Sequence, residues 1–217
     1  MQESEFKTNL NTDLLKIIAC ISMLIDHIGL AFFPEDQFFR LLGRPAFPIF
    51  CYCMTVGLHY TRSIKKYLIR LAVFALISQP FYMLAFYPEM NTWDGSQPNI
   101  LFTLLVSLLA LWGFKEKKYW LFVLTSLITL IPIFDYSVYG VVLMLIFYLC
   151  RNKPWFGALL FVTAYLPNML GNLLVAVLTS LLIFAPMERR FKLHKWFFYV
   201  FYPGHLVLIG IIKQLIQ

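Results

Sequence analysis

The sequence predicts an all-α protein, a polytopic transmembrane bundle of about nine helices (eight to ten), in one domain spanning residues 1–217. Three observations predict it. Of the 217 residues, 60% are hydrophobic, 18% aromatic and only 13% charged, and the mean hydropathy is +0.74, far from a soluble globular composition. Apolar runs recur along the chain at lengths approaching the roughly 20 residues that cross a hydrocarbon core of about 30 Å. Finally, Lys and Arg gather in alternate connections, the pattern of loops held on the cytoplasmic side.

The expected spans are 13–33, 45–61, 67–87, 98–114, 118–134, 136–150, 155–167, 168–186 and 196–212. The sixth and seventh are short, so a re-entrant or broken pair is an alternative there. The basic connections hold Arg62, Lys65, Lys66 and Arg70; Lys115, Lys117 and Lys118; Arg151 and Lys153; then Arg189, Arg190, Lys192 and Lys195. Glu35, Asp36, Glu89, Asp94 and Asp135 mark the intervening ones, with Arg40 and Arg44 as the exceptions. The N-terminus is then cytoplasmic and the C-terminus outside. Residues 1–12 are polar, and no small-residue cleavage pattern follows the first run, so that run is expected to be retained rather than removed as a signal peptide. The net charge of +7 is accounted for by this topology and does not call for nucleic acid as a partner.

Within these spans, a few groups are costly enough to suggest chemistry. The first contains MLIDHIGLAFF, placing Asp26 and His27 inside the bilayer; His27 lies about 21 Å along the helix from Asp13. An intramembrane carboxylate costs about 2.5–3.5 kcal/mol and turns to the protein interior with a partner. Successive helix residues diverge by about 100°, so each of the two finds its partner on another helix. Arg44 stands at a depth that suits Asp26. The second span, GRPAFPIFCYCMTVGLHYTR, carries Arg44, Tyr52, Thr55, His59 and Arg62 on one face; cross-helix bonding in a bundle explains the Tyr and Thr as well as a lined path does. The last span contains FYVFYPGHLVL, where Tyr202 and His205 share a face beside Pro203. Asn99, Thr103 and Ser107 form a stripe on the fourth span, and Asp135 and Tyr139 lie one turn apart. Cys20, Cys51, Cys53 and Cys150 read as small buried side chains, and Cys51 and Cys53 fall on different helix faces, which argues against a metal site.

The stretches LKIIACISMLIDHIG, GRPAFPIF, YTRSIKKYLIRL, NILFTL, YSVYG and FYVFYPGHLVL together resemble the TraX family, named for conjugal-pilus acetylation, over nearly the whole chain. That family is similar to a wider group of membrane acyltransferases that carry acyl groups from a cytoplasmic donor to an acceptor on the far side. The resemblance implies a multi-pass protein of the bacterial inner membrane that takes acetyl-CoA as acyl donor and modifies an exported peptide, such as a pilin N-terminal amine, or a glycan or lipid. It points to Asp26, His27, Arg44 and His205 as the core, with Asn99, Tyr139 and Tyr202 in support; Tyr52, on the polar face of the second span, is a further support candidate. His27 would serve as base or acyl carrier. Arg62, Lys65, Lys66 and Arg70 are candidates for the coenzyme A phosphates, although topology alone accounts for them. A small proton-coupled transporter and a non-catalytic assembly factor for a surface appendage are the alternative readings.

Overall fold

The computed structural model describes residues 6–90, 97–169, 172–188 and 192–216; Asp94, Arg189 and Arg190 of the charge pattern lie outside them. The described residues form ten α-helices and a 3-10 turn: α1 (Thr12–Phe32), α2 (Gln37–Gly43), α3 (Ala46–Tyr60), α4 (Ile64–Phe86), α5 (Ile100–Lys115), α6 (Tyr119–Ile128), α7 (Tyr139–Leu149), α8 (Pro154–Tyr165), α9 (Leu173–Phe184) and α10 (Lys195–Ile216). No strand is present among them, only an isolated bridge between Asn9 and Met187. The all-helical expectation holds.

The second expected span begins earlier than 45. The Asp36 carboxylate accepts from the Phe38 amide and starts α2. Arg44 and Pro45 keep right-handed helical angles, so residues Gln37–Tyr60 run as one rod. This rod is at the centre of the fold: α3 buries eleven of its fifteen residues and packs on α1, α5 and α7.

Four rods, Thr12–Phe32, Gln37–Tyr60, Ile64–Phe86 and Trp196–Ile216, are long and apolar enough to cross a membrane. The other five have 10–17 residues, so full crossing by all nine is not carried by length. The fifth expected span, 118–134, stops at Ile128, giving a helix about 15 Å long. Beyond it the chain turns repeatedly; Ser137 donates to the Thr129 carbonyl, and Tyr136 and Ser137 take left-handed angles (φ 60° and 44°). Such angles are strained for residues with a Cβ and fix the direction in which Tyr136 points.

The outer surface is apolar. Trp120, Trp155, Leu174 and Leu215 are exposed, as on a bundle solvated by lipid chains. Inside, one cluster of buried side chains is built on α3, α5, α7 and α8, and a smaller one joins Met23, Tyr82, Met83, Tyr202 and Leu206 from α1, α4 and α10. Segment 6–11 crosses the end of the bundle where α1 begins. Its Asn9 amide donates to Ile183 O, its Lys7 amide to Arg151 O, and Thr8 and Tyr52 share a 2.7 Å hydroxyl contact.

Candidate functional site

Asp26 and His27 find partners on different helices, as their divergence on α1 requires. Asp26 pairs with Arg40 of α2, Oδ2 to Nη1 at 2.9 Å. Arg44 was the expected partner; instead its Nη1 donates to the Tyr136 hydroxyl at 3.3 Å and its guanidinium lies over that ring, 5.9 Å from the centroid. The physical reason is position along the helix axis. Arg40 and Arg44 are one turn apart, and the chain backbone at Gly43 lies against Asp26 so closely that any Cβ there would collide with the carboxylate side chain. Tyr136, held in turn on Phe47 with ring centroids 4.0 Å apart, supplies the acceptor for Arg44. Both exceptions to the charge pattern are thus drawn inward, and Arg40 and Tyr136 are site residues that sequence reasoning did not select. The signal for Arg40 was its position on the side otherwise poor in Lys and Arg.

His27 faces α10. Its Nδ1 lies 2.7 Å from Nε2 of His205, and Nδ1 of His205 lies 2.8 Å from the Phe201 carbonyl oxygen. A carbonyl can only accept, so the His205 proton sits on Nδ1. In the neutral pair, Nε2 of His205 then accepts, His27 donates from Nδ1, and Nε2 of His27 keeps its lone pair. Phe86 and Tyr202 pack edge-on against His27, centroids 5.1 and 6.5 Å away, and both imidazoles are buried. The result is a desolvated base whose tautomer is set by a chain of two hydrogen bonds.

His27, Asp26, Arg40, Arg44, Tyr136 and Tyr202 all line one cavity of about 310 Å³, at the end of the bundle where α1 finishes. Asp135 also reaches its wall. A second cavity, about 1050 Å³, opens at the opposite end beside Asp13, Lys16, Arg70 and Lys192. The two share three wall residues, Phe50, Leu104 and Tyr202. The Tyr202 hydroxyl is buried beside the Ile100 backbone amide, and its proton has no acceptor among the described residues.

Other expected residues fall elsewhere. Tyr52 lines neither cavity; its hydroxyl meets Thr8 and donates to Asn9 O at 2.7 Å, anchoring segment 6–11. Asn99 caps α5 and bonds Gln79 Oε1 and Ala75 O, which accounts for both Asn99 and the polar group before Pro80. Tyr139 packs edge-on to Tyr165, with its ring outside both cavities. Thr103 and Ser107 are buried in the α5–α7 contact, where Gly140 admits the Ser107 hydroxyl. The cysteines are all buried. Of the phosphate candidates, Arg70 lines the larger cavity, with a buried Nε that has no partner among the described residues; Arg62, Lys65 and Lys66 are exposed and line neither. Lys16, which is ion-paired to Asp13 at 3.1 Å, and Lys192 take the places expected for them.

The family model described as "TraX protein" matches residues 11–213. The chain is 29% identical to the probable fimbrial assembly protein FimC, serogroup H1, of Dichelobacter nodosus, over 94% of this chain and 96% of that protein. It is 29% identical to protein TraX of Escherichia coli over 46% of this chain and 47% of that one. It is 32% identical to an uncharacterised protein of Rickettsia prowazekii over 51% of this chain and 40% of that protein. No solved structure gives a significant match.

Proposed function

Because the chain belongs to the TraX family, we propose that it is a multi-pass acyltransferase of the bacterial inner membrane, with its N-terminus cytoplasmic, that acetylates an exported acceptor from acetyl-CoA. The carrying observation is His27, hydrogen-bonded to His205 behind it, on the wall of a cavity that meets a second, larger one at Tyr202. The larger cavity lies at the end bearing most of the Lys and Arg, the cytoplasmic end by charge, and its size and cationic mouth at Lys16, Arg70 and Lys192 fit a bulky polyphosphate thioester. The smaller cavity opens on the opposite side, where an exported acceptor is presented.

The chemistry is a base-assisted acyl transfer. An acceptor amine or hydroxyl attacks the thioester carbonyl carbon and its proton passes to Nε2 of His27. The carbonyl oxygen takes up negative charge beside the buried Tyr202 hydroxyl, whose proton has no other acceptor among the described residues and is donated to it. The C–S bond breaks, and the thiolate takes the proton from His27 to leave as coenzyme A. His205 holds the His27 tautomer, and Asp26 with Arg40 fixes α2 against α1. Attack by Nε2 itself, giving a transient acyl-imidazole, uses the same geometry. The names of the relatives, fimbrial assembly and TraX, favour a pilin N-terminal amine as acceptor, with a glycan or lipid headgroup as other candidates.

Two cavities divided by three side chains also suit a small proton-coupled carrier. A third reading, a non-catalytic assembly factor, predicts no chemistry at all. The test is transfer of radiolabelled acetyl from acetyl-CoA to membrane material by purified protein in liposomes. Label that requires His27 is the expected result. Folded protein that neither binds nor consumes acetyl-CoA with acceptors present overturns the enzyme, and solute uptake without thioester loss establishes the carrier.

A further inference from the structure

The proposed acetyl transfer leaves open what limits the acyl group. We propose that Phe50, Leu104 and Tyr202 form a septum between the two cavities that admits only a short acyl chain to His27. This rests on the acyltransferase reading and adds its chain-length specificity.

Three observations carry it. These three side chains, from α3, α5 and α10, are the wall residues common to both cavities. Leu104 is 2% exposed and Tyr202 5%, with Phe50 half-buried against them, so two of the three septum side chains are tightly packed and a side chain added or removed there is felt at once. The volumes are unequal. The larger cavity, about 1050 Å³, can hold the donor; the smaller, about 310 Å³, must take the acyl group together with the reacting end of the acceptor. A donor approaching from the larger cavity must bring its thioester to Tyr202, whose ring lies 6.5 Å from that of His27. The acyl chain beyond the carbonyl then projects past Phe50 and Leu104 into the space the acceptor needs. Each additional methylene competes with the acceptor for that volume, and a methylene in a confined apolar site changes discrimination by roughly tenfold or more.

The experiment uses the full chain in liposomes with radiolabelled acetyl-, butyryl- and hexanoyl-CoA, measuring both transfer to membrane material and binding of each thioester. Wild type is expected to bind all three and to transfer acetyl at least about a hundredfold faster than hexanoyl. Leu104→Ala, by opening the septum, should raise hexanoyl relative to acetyl transfer by roughly tenfold, and Phe50→Leu should do the same to a smaller degree. Leu104→Phe should stop transfer of every chain while acetyl-CoA still binds. Leu108→Ala, one turn along α5, fully buried but on neither cavity wall, controls for loss of packing and should leave the ratio unchanged. Equal acetyl and hexanoyl transfer by wild type, or an unchanged ratio in Leu104→Ala and Phe50→Leu, overturns the septum and leaves the acyltransferase standing. No transfer from any thioester overturns both.

Discussion

Replacing His205 with Phe keeps a planar ring of similar size but removes the acceptor for His27 and the donor to Phe201 O. In the native site, His27 gives its Nδ1 proton to His205 at 2.7 Å, and His205 gives its own to the Phe201 carbonyl at 2.8 Å. Without that acceptor, a buried N–H on His27 is left unsatisfied, a penalty of about 1–3 kcal/mol. The imidazole escapes it by moving the proton to Nε2, the nitrogen that must accept from the nucleophile. Either way, the reactive form is depleted by the same free energy, so kcat should fall roughly fivefold to a hundredfold. The donor cavity is untouched by this change, and the affinity for acetyl-CoA should hold. His205→Gln is the informative companion, since its amide presents an NH2 donor group and a carbonyl acceptor, and it should recover part of the rate. The double variant His27→Ala with His205→Phe should be no slower than His27→Ala alone, because His205 acts through His27. Steady-state transfer of radiolabelled acetyl, with binding measured separately, checks all of this. A His205→Phe protein with unchanged kcat, or one whose loss multiplies with that of His27→Ala, refutes the tautomer argument.

Other perturbations separate the site from its scaffold. Asp26→Asn leaves the Arg40 guanidinium without its counter-charge and should lower the thermal midpoint by several degrees, whereas Asp26→Asn combined with Arg40→Gln should recover much of it; thermal unfolding in detergent reads the coupling. Tyr52→Phe should destabilise the protein by about 1–2 kcal/mol through the lost contacts with Thr8 and Asn9 and leave kcat unchanged, as denaturation and transfer assays together would show. Arg70→Gln should raise KM for acetyl-CoA about tenfold with little change in kcat, while Lys65→Gln and Lys66→Gln, on the exposed surface, should alter neither.

The helices were legible because membrane segments announce themselves by composition, and because the requirement to satisfy every backbone group in an apolar medium leaves few structures. The start of α2 was not, since Gln37–Gly43 is amphipathic and precedes two prolines that read as a helix start. Nor was the end of α6, where side-chain bonds at Thr129 and Ser137 and the angles at Tyr136 stop a run that is apolar throughout. The histidine pair was legible only as two costly groups on two spans. That they meet at all depends on α1 packing against α10, a contact between residues 178 positions apart that no local pattern encodes. Arg40 rather than Arg44 on Asp26 is a matter of one helical turn, below the precision of a depth estimate. That Tyr52 and Asn99 lie off both cavity walls was hidden for a common reason: a buried polar side chain looks alike in sequence whether it serves a ligand or satisfies a backbone group.

Segment 6–11 also fixes the timing of assembly. Its hydrogen bonds run to the carbonyls of Arg151 and Ile183 and, through Leu10, to that of Met187, so a segment made before α1 closes onto partners made after α7. Tyr52, made long before α9, waits with its hydroxyl unmatched until Asn9 and Thr8 are drawn across the end of the bundle. The early rods can therefore pack in order, but segment 6–11 is held across this end of the bundle only when α9 arrives, which makes that contact a late, long-range event in folding. Chains arrested before residue 183 would leave the Asn9 and Leu10 amides without the Ile183 and Met187 carbonyls that accept from them.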